Sequence, residues 1–93
     1  MNKEEILKQA VEVFGVQPQI EMMIEEASEL IQALQKLKRV GNRDEKLDNV
    51  YEEIADCKLV LEQMENIFGK ENIKAKEDYK LERLAFRIKQ KVL

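Results

Sequence analysis

The chain has 93 residues, of which 44% are hydrophobic and 38% charged, with 3 Gly, 1 Pro, no Trp and 5% aromatics. That length holds one domain spanning residues 1–93, and so few turn-forming and aromatic residues exclude a β protein. The absence of His removes Ser-His-Asp and Cys-His catalysis and the usual zinc sites, so any metal chemistry must use carboxylates, which favour Mg²⁺, Mn²⁺ or Ca²⁺.

A domain of this size buries only about 60–65% of the surface its unfolded chain exposes, so its own core is marginal and oligomerisation is a common remedy. Cys57 is the only cysteine, which rules out a disulfide within the chain. No signal peptide and no apolar run near the roughly 20 residues of a membrane span are present, and a cytoplasmic location is expected. The net charge of −3 is unevenly spread. Residues 1–69 carry 8 basic and 15 acidic side chains, and residues 70–93 carry 8 basic and 4 acidic ones. An acidic body with a basic tail is a poor match to a nucleic-acid polymer, whose binder needs a dominant basic footprint. It suits a site that holds cations in one place and phosphates in another.

The elements follow in chain order as four helices. Asn2 with Glu5 reads as a capping box that opens the first helix, which ends near Phe14-Gly15. Pro18 fits the first position of the second helix, where its missing N–H costs nothing, and Gly41 closes that helix after Val40. Asn42 with Glu45 repeats the capping-box pattern and starts a third helix to about Phe68-Gly69. The fourth occupies roughly residues 71–92.

The second helix has its main apolar stripe at Ile20, Met23, Ile24, Ala27, Leu30, Ile31, Leu34 and Leu37. The third has Leu47, Val50, Tyr51, Ile54, Cys57, Leu61, Met64 and Phe68, and the fourth Leu81, Leu84, Ala85, Ile88 and Val92. All follow the i, i+3, i+4, i+7 spacing of a buried face. Only about two residues separate the second and third helices, so they fold back as an antiparallel hairpin. The expected architecture is all-α and four-helix bundle-like, with this hairpin at its centre, completed by oligomerisation.

Two acidic clusters lie on the hairpin. Glu26 and Glu29 are three residues apart, as are Glu53 and Asp56, and i, i+3 pairs share one helix face. Glu29 lies 12 residues before Gly41 and Glu53 lies 12 after it. A turn about Gly41 therefore sets Glu29 opposite Glu53 and Glu26 opposite Asp56, all roughly 18–22 Å from the turn at 1.5 Å per residue. Four carboxylates at one level form a nest for a hard divalent cation. Met22 and Ala33 flank the first pair, and Asn49, Val60 and Ile67 the second, so the acidic flank is expected to be partly buried against another helix or a partner subunit. A solvated Glu-rich helix face generates either acidic motif alone.

At these residues the sequence resembles the MazG-like nucleoside triphosphate pyrophosphohydrolases of the all-α NTP pyrophosphatase superfamily. Their pattern of Glu-Glu-x-x-Glu, a spacer and Glu-x-x-Asp is matched by Glu25-Glu26-Ala27-Ser28-Glu29 and Glu53-Ile54-Ala55-Asp56, 23 residues later. The resemblance covers about residues 17–90. It implies Mg²⁺-dependent hydrolysis of an NTP or dNTP between the α and β phosphates, giving NMP and pyrophosphate, with Mn²⁺ as a substitute metal. It further implies Glu26, Glu29, Glu53 and Asp56 as metal ligands, with Glu53 essential to catalysis and Glu25 a weaker candidate for orienting or deprotonating the attacking water. As a solvated surface acid, Glu25 would do neither.

Phosphates also call for positive charge. On the fourth helix Lys76, Lys80, Arg83 and Arg87 form one stripe at i, i+4, i+7, i+11. The family's Lys-x-x-x-Asn-x-x-Arg pattern fits with Lys80 or Leu84 standing at the Asn position. Lys36, two turns beyond Glu29, is a further candidate, and a solvated cationic face is the alternative for each. Cys57 reads as a small core residue, and Tyr51 and Tyr79 as packing groups, with stacking on a base the alternative for both. Two other readings stay open: a non-catalytic helical interaction module that self-associates or binds a partner helix, and phosphoribosyl-ATP pyrophosphohydrolase within the same superfamily. The enzyme reading expects a homodimer or homotetramer.

Overall fold

The computed structural model describes residues 1–41 and 44–92 and is all-α: α1 (Lys3–Phe14), α2 (Val16–Val40), α3 (Asp44–Phe68) and α4 (Lys70–Val92). No described helix is long and apolar enough to cross a membrane. The Asn2 cap forms as the sequence requires, its side-chain oxygen accepting from the Glu5 N–H at 2.9 Å. The Asn42 cap lies outside the described residues. α2 begins two residues earlier than Pro18 implies. The first four N–H groups of a helix have no partner within it, so a proline in its third position leaves no hydrogen bond unmade.

Single glycines make two of the joints. Gly15 connects α1 to α2 and Gly69 connects α3 to α4. Gly41 ends α2 with φ 82° and ψ −175°, and Gly15 has φ 94° and ψ 160°. Only glycine occupies that region without strain, because a Cβ would collide with its own backbone. Each glycine N–H still closes the preceding helix, donating to Val11, Leu37 and Glu65 respectively at 2.8, 2.8 and 2.9 Å.

The core is the α2–α3 hairpin with α1 laid across it. Ala33, Val50, Cys57 and Val60 are buried along the hairpin, and Leu7 enters from α1. An ion pair from Lys3 to Glu62 at 2.6 Å ties the start of α1 to α3. The buried line shares only Val50 and Cys57 with the apolar stripes. Ile24, Ile31 and Leu34 on α2, and Tyr51, Ile54, Leu61 and Phe68 on α3, are exposed. At 100° per residue, the contact face on each helix is turned by roughly 60° from the centre of its stripe towards the acidic flank. Small side chains there, Ala33 and Cys57 among them, let the two backbones approach. The bulkier edge of each stripe is left facing water.

The fourth helix departs furthest from the expected bundle. α4 approaches only α3, and every described residue after Ile73 is exposed, including Leu81, Leu84, Ala85, Ile88, Val92 and Tyr79. The radius of gyration is 16.5 Å, against about 12 Å for a compact domain of this length. Within one chain, three helices pack and the fourth stands off as an arm. Its stripe is amphipathic, but the connection through Gly69 aims it away from the hairpin.

Gly41 separates backbone strain from packing. A Cβ built there meets nothing within 4 Å, so Gly41→Ala is expected to destabilise by about 1–3 kcal/mol through the backbone alone. Urea unfolding should show that loss with an unchanged m-value.

Candidate metal centre

The hairpin register follows from one turn. The Cys57 thiol donates to the Glu26 carbonyl oxygen at 3.3 Å across the α2–α3 interface, and Ala33 and Val50 are buried one level nearer the turn. The same antiparallel register brings Glu26 together with Asp56, and Glu53 together with Glu29. One carboxylate oxygen each from Glu26, Glu53 and Asp56 lies within 4.8 Å of the others. With ligand distances of about 2.0–2.6 Å, a hard cation spans such a set.

Glu26 and Glu53 are half-buried, whereas Asp56 faces solvent. The Oε2 atoms of both glutamates are shielded from water and have no hydrogen-bond partner among the described residues. Burial holds the Glu26 carboxyl above its ordinary value of 4.5, helped by the charges of Glu29, Asp56 and Glu53. Glu53 is raised in the same way by burial, then by the charges of Glu29 and Asp56. Buried like charges with orphaned oxygens are costly on their own and fit a bound cation. An all-oxygen donor set of this charge suits Mg²⁺ or Mn²⁺.

Glu29 belongs to the cluster electrostatically and through Glu53, though its oxygen falls outside the closest trio. Glu25 is exposed on α2 and does not join them. Lys36 is also exposed, two turns beyond Glu29. The basic stripe is not brought to the carboxylates within the chain. Lys76, Lys80, Arg83 and Arg87 are exposed on the arm and make no ion pair with an acid of the body among the described residues. Lys80 instead lies 5.9 Å from the ring centre of neighbouring Tyr79. Cys57 is buried, and burial together with Glu26, Glu53, Asp56 and Glu29 pushes its thiol up, so it stays protonated and packs as a small core residue.

Two polar residues beside the cluster escaped the sequence reading. Gln19 and Gln63 are buried, at 6% and 7% exposure. Each lies seven residues, two helical turns, from Glu26 or Asp56 on the same face. That i, i+7 spacing was the available signal, and a search limited to charged groups passes over it. Compared with known proteins, the chain matches no family model, no curated protein and no solved structure.

The cluster sets a pH dependence of known sign. Glu26 and Glu53 bind their protons more tightly folded than unfolded. Their stabilising contribution is therefore full below the unfolded value of 4.5 and is lost as pH rises through the higher folded values. In EDTA, the melting temperature of the native chain should fall more from pH 4.5 to neutral than that of a Glu26→Gln/Glu53→Gln variant. Mg²⁺ at neutral pH should restore the native chain alone. Parallel pH profiles for the two proteins would contradict the assignment.

Proposed function

We propose that this chain is a Mg²⁺-dependent nucleoside triphosphate pyrophosphohydrolase of the MazG-like kind, converting an NTP or dNTP to NMP and pyrophosphate. The observation that carries the reading is the cross-hairpin meeting of Glu26, Glu53 and Asp56, with two buried carboxylate oxygens left unpartnered. It adds to the motif spacing a spatial arrangement that a solvated acidic face does not need.

In this reading Glu26, Glu53 and Asp56 hold the metal, with Glu29 beside them through its contact with Glu53. Mg²⁺ held by these carboxylates would supply charge neutralisation for the phosphates and lower the pKa of a water molecule, the chemistry that hydrolysis at the α phosphorus needs. The shielded Oε2 atoms of Glu26 and Glu53 keep part of the cluster from bulk water, while Asp56 leaves it open to a ligand from solvent. Glu25, exposed one turn from Glu29, is the candidate to take the proton from the attacking water. A nucleoside triphosphate substrate makes the cytoplasm the expected setting.

The phosphate-binding cations come, in the same reading, from a second copy. The arm carries Lys76, Lys80, Arg83 and Arg87 away from its own carboxylates and exposes Leu81, Leu84 and Ile88. The body it would meet is acidic and exposes Ile24, Ile31, Leu34, Ile54 and Leu61. Apolar contact and opposite charge both favour a homodimer or homotetramer in which α4 completes a neighbour's bundle. Sedimentation should find oligomers for the native chain and monomers for Leu84→Glu/Ile88→Glu.

The same exposed faces favour the second reading, a helical interaction module without catalysis. Product analysis separates the two. With Mg²⁺ the native chain should release NMP and pyrophosphate from at least one member of an NTP and dNTP panel, and EDTA should stop it. Glu53→Gln should lose roughly a hundredfold or more of turnover while keeping its helical content. NDP and orthophosphate as products would refute α–β cleavage. A folded chain that turns over no nucleotide, and whose melting temperature ignores Mg²⁺, would leave the interaction module.

A further inference from the structure

A groove of about 490 Å³ opens between α1 and the hairpin, and its polar end is formed by Glu26 and Asp56. The volume lies within the range of small-molecule sites. Its walls are chiefly apolar, with Phe14 from α1, Met22 from α2 and Leu59 from α3. Gln19 and Gln63 supply amides to the same space from opposite sides of the hairpin. Gln63 is only 7% exposed, and its Oε1 is shielded from water with no hydrogen-bond partner among the described residues. A buried carbonyl left in that state is unfavourable, such groups are few in native structures, and a bound water, ion or ligand is what completes them.

The distribution of chemistry along the groove selects the occupant. One end is anionic and suited to a cation that carries phosphates. The walls are apolar and include the Phe14 ring, which is 63% exposed and on which a flat heterocycle can stack. The far part holds amides, which recognise base edges through paired donor and acceptor groups. Gln63 lies two helical turns from Asp56, about 10.5 Å along α3, a separation that suits a nucleotide lying lengthwise from α phosphate to base.

We infer that this groove is the nucleobase subsite, with Phe14 stacking on the base and Gln63 reading its edge. The assignment rests on the nucleotide reading above and adds residues that the carboxylate pattern does not contain. Gln19, across the hairpin, supplies a second amide to the same edge. Specificity then arises between α1 and the hairpin, while the chemistry stays on the α2–α3 seam. Gln63 selects the base and takes no part in bond breaking.

The test pairs turnover with binding, using Gln63→Leu and Phe14→Ala. The first removes a buried amide whose Oε1 has no partner among the described residues, and should melt no lower than the native chain. The second changes an exposed ring and should leave the core intact. For the nucleotide the native chain prefers, each variant should raise KM about tenfold and leave kcat within about threefold. Gln63→Leu should also level the ranking of bases, while a base-less sugar triphosphate should be handled alike by all three proteins. Titration of the same nucleotides with Ca²⁺ in place of Mg²⁺ reads affinity without relying on turnover. Weakened binding in both variants supports the subsite even if no nucleotide is hydrolysed, in which case only the reaction falls. Hydrolysis with KM and base ranking unchanged in Gln63→Leu overturns the subsite and leaves the reaction standing. Variants that change oligomeric state but not nucleotide affinity would make the groove a contact between copies and overturn it too, as would absence of nucleotide binding by the native chain.

Discussion

The antiparallel seam between α2 and α3 is the constraint on which the rest depends. It places acidic side chains, not the bulkiest apolar ones, at the middle of the contact. The cost is visible in two carboxyl groups held above their ordinary range and in oxygens without partners. Packing around small residues lets the helices approach despite this, and the Cys57–Glu26 contact closes the gap at the same level. A purely structural hairpin would have turned its leucines and isoleucines inward. This one spends part of its packing on charge, the trade-off expected where a site must be ready for a ligand before it arrives.

Placing charge in the seam has a direct consequence for the apolar residues. Rotating each helix towards its acidic flank turns the opposite edges of the stripes outward. Ile24, Ile31 and Leu34, with Ile54 and Leu61, are therefore exposed for the same reason that Glu26 and Glu53 are half-buried. α1 covers the other side of the seam only in part, and the uncovered remainder is the groove beside Gln63. Carboxylate cluster, groove and bare apolar face are three results of one choice of helix rotation.

This explains what was legible in the sequence. Helix ends were readable because glycine and Asn2 act locally, through their own backbone and nearest neighbours. The pairing of Glu26 with Asp56 and Glu29 with Glu53 was readable because residue counts from Gly41 fix an antiparallel register. The rotation was not, since a hydrophobic stripe reports where apolar surface lies and not which part of it meets a neighbour. The direction of α4 was hidden too. It depends on the torsions of Gly69, and an amphipathic pattern looks the same whether its partner is in the chain or in another molecule. Tyr51 and Tyr79, expected to pack, are exposed for these two respective reasons. Gln19 and Gln63 carry no charge, so only burial marks them out, joined at Gln63 by an oxygen without a partner among the described residues.

Gly69 gives the arm a mechanical property. With α3 and α4 joined by this single residue, no loop absorbs a change of direction between them. α4 has 23 residues, about 34 Å of rigid lever, so a change of roughly 20° at the joint swings its far end through about 12 Å. A small torsional adjustment in one residue is thus amplified at the distant leucines and arginines. The reach of the basic tip, and in the proposed oligomer the distance between copies that it would bridge, is set at the fulcrum and not along the arm.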